Sequence, residues 1–212
     1  MNKIFSNFTD RAGRAAFIAD HFASVIKKSA SILDVGCSDN DLKKIIGSKV
    51  LGIDVSGNPD KKINLEREKL SAFRDNSFEL SICTEVLEHV DNFHEITNEL
   101  IRVSNKFILI SLPNCSVFFN LFRIMLTNKT GKFYGLPDSK PEDRHKWFFS
   151  WKEADVFFEN LCKTNNLKIS EKFLNFNYST SMLTRVAGLF LRVFKIKSFA
   201  NNYWVLIKKQ SV

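Results

Sequence analysis

Apolar positions recur at two different spacings along the first half of the chain. Residues 11–28 (RAGRAAFIADHFASVIKK) carry them at helical spacing and end in two lysines, which suits the negative end of a helix dipole. Residues 31–36 (SILDVG) form a short apolar run closed by Asp and Gly, the pattern of a buried strand and a tight turn. A short helix over 40–47 follows, then a second apolar run at 49–54 (KVLGID) that ends in an acid. Asn58-Pro59-Asp60 is a turn signal, and residues 62–65 (KINL) predict a brief third strand. A fourth strand is expected at 78–83 (FELSIC), a turn and a helix over 84–103, and a fifth strand at 106–112 (KFILISL), stopped by Pro113. Strands alternating with helices imply βαβ units, so the expected fold is α/β, a Rossmann-like, doubly wound, mostly parallel sheet with helices on both faces.

The second half has a different rhythm. It predicts an apolar helix over 116–127, a polar loop with Pro and Gly over 128–148, a helix over 152–165 and a strand over 167–176. A basic amphipathic helix over 180–197 and a last strand over 203–208 complete it. The chain of 212 residues fits one domain, 1–212, with an N-terminal helical segment (1–28), a middle part (30–114) and a second part (115–212). Only 8 Gly and 4 Pro argue against long linkers, and 21 Phe are enough to fill a core and line an apolar cavity as well.

The formal net charge of +8 admits a nucleic-acid surface, an anionic membrane face or compositional bias, and the even spread of lysine favours bias. Cys37, Cys83, Cys115 and Cys162 include no CxxC pair, which argues against a zinc site or a disulfide framework and for a reducing cytoplasm; no metal is expected. The opening residues hold no signal-like apolar stretch, and Arg123 and Arg192 interrupt the two best candidate spans, so an integral membrane protein is not expected.

Chemistry-bearing residues gather at the strand ends, where parallel sheets bind their ligands. Asp34, Gly36 and Cys37 close the first strand and Asp54 the second. Asn64 and Leu65 follow the third, Thr84 and Glu85 the fourth, and Asn114 the fifth. An acid ending the second strand can accept both hydroxyls of a ribose; the competing reading is a solvated loop acid. A nicotinamide site would want G-x-G-x-x-G after the first strand, and this chain offers one of those three glycines.

The segments SILDVGCSDND and VLGIDVSG resemble the first two motifs of class I S-adenosylmethionine-dependent methyltransferases. DNSFELSICTEVLEHV resembles the fourth-strand motif of the methyltransferase group that includes quinone-biosynthesis enzymes. The resemblance covers residues 30–114 and implies S-adenosylmethionine as cofactor and a C-terminal antiparallel strand. It places Asp34, Gly36 and Cys37 at the methionine end, Asp54 at the ribose, Asn64 and Leu65 at the adenine edge, and Thr84 and Glu85 beside the sulfonium. Ser38 and Asn40 depart from it, standing where further glycines are usual, and the usual Pro-Gly-Gly before the fifth strand is replaced by Val103-Ser104-Asn105-Lys106. Ser38 and Asn40 together raise the alternative of a non-catalytic, cofactor-binding partner protein.

A hydroxyl or amine acceptor must lose a proton. Among the four histidines, His145 in EDRHKWFF is the leading candidate base and His89 the second, each with a structural role as its competing reading. The segment GKFYGLPDSKPEDRHKWFFS resembles methyltransferases of surface-polysaccharide and lipid-linked glycan synthesis, which implies a small-molecule, sugar or lipid-linked acceptor. Residues 181–197 place Arg185, Arg192, Lys195 and Lys197 among apolar residues, offering peripheral membrane contact at the inner face; core packing is the competing reading. No Asn/Asp-Pro-Pro-aromatic motif follows the fourth strand, so no nucleic-acid acceptor is expected, with RNA the less favoured alternative.

Overall fold

The computed structural model describes residues 1–210 other than 7, 9, 117, 132, 137, 140–143 and 178–196. The elements run β1 (Asn2–Ser6), α1 (Arg11–His21), α2 (Ala23–Lys27), β2 (Ile32–Val35), α3 (Asp41–Ile46), β3 (Val50–Asp54), β4 (Lys61–Lys62) and β5 (Phe78–Thr84). A 3-10 turn (Leu87–His89), α4 (Phe93–Val103), β6 (Ser104–Pro113), α5 (Phe118–Thr127), α6 (Trp151–Thr164), β7 (Leu167–Asn177), a second 3-10 turn (Lys197–Phe199) and β8 (Asn202–Lys209) follow. The strands make one sheet in the order β1-β7-β8-β6-β5-β2-β3-β4. All neighbours pair parallel except β8, which runs antiparallel to both β6 and β7.

Side chains along each strand alternate between two cores, as the two-residue period requires. Ile32, Leu80, Ile82, Leu109, Trp204 and Leu206 pack with Ala15, Ile18, Phe22, Ile26 and Leu42 from α1, α2 and α3. Leu33, Val35, Ile108, Ile110, Tyr203 and Val205 pack with Ile96 and Leu100 of α4 and with Ala154, Phe158 and Cys162 of α6. Helices therefore cover both faces, and the Rossmann-like fold expected from the pattern is the fold observed.

Three details differ from the pattern-based expectation. The chain opens with β1, parallel to β7, which the sequence reading passes over because Asn2–Ser6 is an edge strand of only five residues. The helix expected over 11–28 is broken at Phe22, whose ring is buried against Phe173 and Trp204. The strand expected at 62–65 shrinks to Lys61–Lys62, because Asn64 starts a turn: its backbone N–H donates to Glu68 (3.1 Å) and its side chain accepts from the Glu66 N–H (3.0 Å). The basic helix expected over 180–197 falls almost wholly outside the described residues. Among the described residues no helix is long and apolar enough to cross a membrane.

The junction without Pro-Gly-Gly is explained by Ser104. Here α4 runs directly into β6, and the buried Ser104 hydroxyl donates to the Leu100 carbonyl (2.6 Å) and shares a hydrogen bond with the Ser81 hydroxyl (2.7 Å). Arg102 locks the other side of α4 by binding Glu99, Asp75 and the carbonyls of Leu70 and Phe73. At the centre of the α6 core, Phe158 is fully buried and stacks on Tyr203. Phe158→Ala is expected to lower the unfolding free energy by about 3–5 kcal/mol. Urea denaturation checks this, and a loss below about 1 kcal/mol would show that the site collapses without a cavity.

Candidate functional site

Strand order reverses around β2: the chain steps outward from β2 to β3 and β4, then returns to place β5 on the opposite side of β2. The crevice beyond the carboxyl ends of β2 and β5 is the switch point at which such sheets bind ligands. The sequence-predicted residues fall around this edge in two groups.

The first group surrounds β2 and β3. Asp54 ends β3, and both of its carboxylate oxygens hold loops: Oδ2 accepts from the Ser38 N–H (2.8 Å) and Oδ1 from the Ser56 N–H (3.0 Å). Two carboxylate oxygens offer about four lone-pair sites. Acceptor capacity therefore remains for a ligand's hydroxyls. Asp34 is buried at the end of β2. Burial pushes its carboxyl up from 3.8 to about 7, with the nearby positive charge of Arg14 opposing and the negative charge of Asp54 adding to the rise. Cys37 is buried with its Sγ over Gly52, where an added Cβ would come within 2.7 Å of the sulfur. Burial pushes the Cys37 thiol up to about 12, so it is a packing group and not a nucleophile.

Gly36 has φ +79°, and a Cβ there would sit 2.1 Å from Val86 Cγ2. The glycine is thus required by the turn and by contact with the segment after β5, whatever ligand approaches it. The loop continues through Ser38 and Asn40 at φ 50° and 60°, left-handed conformations that glycine adopts most easily. Ser38 accommodates its side chain by turning the hydroxyl to Arg11, which donates from Nη1 at 2.6 Å. Asn40 donates to the Asn58 carbonyl (2.9 Å). Asn64 and Leu65 lie farther along the same edge, where the Leu65 carbonyl accepts from the Asn92 side chain (3.0 Å).

The second group follows β5. Thr84 is buried as the last residue of the strand. Glu85 takes a left-handed conformation (φ 57°), which costs on the order of 1–3 kcal/mol for a residue with a side chain. It receives a hydrogen bond from the Ser111 hydroxyl (3.2 Å), and burial pushes its carboxyl up while Arg14 opposes the rise. The next turn carries Glu88, 1% exposed, and His89. Over this turn lies the 144–149 segment, fixed by the Lys146 N–H to the Glu88 carbonyl (2.8 Å) and the Trp147 indole to the Val90 carbonyl (2.8 Å). Lys146 also pairs with Glu66 and Asp91. This brings His145 against His89, ring centroids 4.7 Å apart and nearly perpendicular.

Sequence reasoning missed Arg11, Arg14, Glu88 and Tyr134. Arg11 and Arg14 were absorbed into a helix pattern, although two arginines in the first turn of α1, at the positive end of its dipole, are an unfavourable placement that signals another role. Glu88 stands beside His89 in the segment expected to form a turn and a helix, and an acid next to a histidine among Val86, Leu87 and Val90 is the available signal.

Asp34 has a consequence for stability. Its folded-state pKa is raised, so its contribution to stability is full below about pH 4 and is lost as pH rises through about 7. Keeping the carboxylate ionised in the folded protein then costs on the order of 4 kcal/mol, at about 1.4 kcal/mol for each pH unit between 3.8 and about 7. Asp34→Asn is therefore expected to flatten the stability profile between pH 4 and 8 and to raise stability at pH 8. Urea titrations of both proteins across that range check this, and parallel profiles would contradict it.

Comparison with known proteins bears on the fold and the family. The chain spans 60% of the length of an uncharacterised protein of Methanocaldococcus jannaschii, with 28% identity over 141 residues, 58% of this chain. A SAM-dependent methyltransferase structure from Archaeoglobus fulgidus superposes with a TM-score of 0.62 at 16% identity, covering 94% of this chain and 95% of the other. Magnesium protoporphyrin IX methyltransferase from Synechocystis, solved with bound SAH, gives 0.56 at 12% identity over 97% and 90%. The small RNA methyltransferase HEN1 gives 0.61 at 16% identity over 98% of this chain and 26% of its own. These likenesses establish the class I S-adenosylmethionine-dependent methyltransferase fold. The family model described as methionine biosynthesis protein MetW matches residues 18–188, from within α1 past β7, and the chain belongs to the MetW family.

Proposed function

We propose that the chain is an S-adenosylmethionine-dependent methyltransferase acting on a hydroxyl or amine of a small or lipid-linked acceptor. The observation that carries this reading is the pair of acids at adjacent strand ends, Asp34 buried and Asp54 holding the Ser38 and Ser56 amides, around a left-handed loop at the switch point. These residues fit a nucleoside joined to an amino acid: Asp54 has capacity for ribose hydroxyls, and Asp34 lies near the end of β2, beside the loop, where an ammonium group would restore its charge. The bound cofactor supplies a methyl group already activated on a sulfonium. What this chain must do is hold the acceptor in line, and positioning of that kind is worth about 7–11 kcal/mol of the barrier.

On the acceptor side, Glu85 and His89 follow β5, His145 lies against His89, and these three are the groups assigned to the acceptor's proton. Exposed Leu121, Met125 and Leu126 on α5 support an acceptor with an apolar portion. The structural neighbours include a magnesium protoporphyrin IX methyltransferase and a small RNA methyltransferase; with a net charge of +8, RNA is the second reading. The partner-protein reading draws on Ser38 and Asn40, which carry side chains where glycines are usual.

Calorimetric titration with S-adenosylmethionine and S-adenosylhomocysteine tests the reading. Micromolar binding, about 8 kcal/mol, weakened at least about tenfold by Asp54→Ala, a loss of about 1.4 kcal/mol, is expected. Folded protein that binds neither ligand would overturn it. Binding to RNA that weakens steeply with salt would move the acceptor class to nucleic acid.

A further inference from the structure

Three donor side chains converge where the Leu87–His89 turn meets the 144–149 segment. One donor atom from each of Glu88, His89 and His145 lies within 4.8 Å of the others. Glu88 Oε1 is 3.6 Å from His89 Nε2. No cysteine takes part, so the cysteine spacing that argued against zinc does not bear on this cluster.

The hydrogen bonds around the two rings fix where their lone pairs lie. His89 Nδ1 is 3.2 Å from the Arg144 carbonyl, which can only accept, so Nδ1 carries the proton. The Tyr134 hydroxyl donates to the Trp147 carbonyl (3.1 Å), and it therefore accepts from His145 Nδ1 at 2.9 Å. Both neutral rings then carry their lone pair on Nε2. Metal-bound histidines almost always donate their other N–H to an oxygen in this way. Phe133 stacks on the His145 ring (4.3 Å) and further fixes its orientation. Glu88, 1% exposed, places its carboxylate beside these nitrogens as the third donor of the cluster.

We propose that Glu88, His89 and His145 bind a divalent first-row transition metal ion that holds the oxygen of the acceptor. Two imidazoles and one carboxylate suit zinc, manganese, iron or cobalt, whereas calcium and magnesium favour all-oxygen sites. Three protein ligands leave coordination positions open, as catalytic sites do. The ion lowers the pKa of a bound hydroxyl. The acceptor's O–H proton passes to solvent, the oxygen's electron pair forms the new C–O bond, and the methyl–sulfur pair stays on sulfur as the thioether leaves. This role for the ion rests on the methyltransferase reading; the binding site does not.

The test is calorimetric titration of chelator-treated, full-length protein with zinc ions, with cobalt absorption as a second readout of the ligand set. About one equivalent is expected to bind. His89→Ala and His145→Ala should each weaken binding by at least about 100-fold, and Tyr134→Phe, which removes only the oxygen behind His145, by about tenfold. His21→Ala, remote from the cluster, should bind zinc like the parent protein, and thermal melting checks that every variant is folded. S-adenosylhomocysteine affinity should be unchanged by His145→Ala. Absent zinc binding, or zinc binding indifferent to both histidines, overturns the site. Zinc binding lost in the two variants, in protein that never binds S-adenosylhomocysteine, upholds the site and overturns the ion's role in methyl transfer.

Discussion

The carboxylate of Asp54 is the constraint around which the ligand edge is organised. By accepting from Ser38 on one side and Ser56 on the other, it ties the loop after β2 to the end of β3. That loop passes through three left-handed residues, Gly36, Ser38 and Asn40, which have little reason to stay so without an outside anchor. Anchored charge-assisted hydrogen bonds are about twice as strong as neutral ones. Gly57 and Gly52 leave room for the same loop, since a Cβ at either position would collide with Ser38 or Asn40. The second loop is thus shaped by the first, and the crevice between them is set before any ligand arrives.

Around this anchor, acidic groups are held at a cost in stability. Asp34 and Glu85, on adjacent strands, are both held with raised pKa values, and Arg14 from α1 moderates each. Buried acids of this kind are characteristic of functional sites, where the folded chain tolerates unfavourable groups that a ligand later satisfies. Arg11, from the same helix, holds the loop after β2 at Ser38. The N-terminal helix therefore does more than cover one sheet face: it supplies the positive charge that moderates Asp34 and Glu85.

The fold was legible because β2, β3, β5 and β6 are short apolar runs buried on both faces, and their ends are marked by Asp34, Asp54, Thr84 and Pro113. The periodicity of α4 and α6 was equally plain. What was not legible depends on contacts distant in sequence. The role of Gly36 is set by Val86, fifty residues on, and the pairing of His89 with His145 depends on a loop docked through Lys146 and Trp147. No local pattern encodes such a docking. Ser38 illustrates the opposite error: it reads as an obstruction in the loop, while the structure turns its hydroxyl to Arg11.

The central claim is that the edge formed by the ends of β2, β3 and β5 is where S-adenosylmethionine binds. Amide hydrogen exchange with and without saturating S-adenosylhomocysteine tests it most directly, because ligand binding suppresses local opening where contacts form. The account predicts that slowing of exchange by at least about tenfold is concentrated at residues 36–40, 54–58 and 84–89. Unchanged exchange at these three segments, with slowing confined to other parts of the chain, would contradict it.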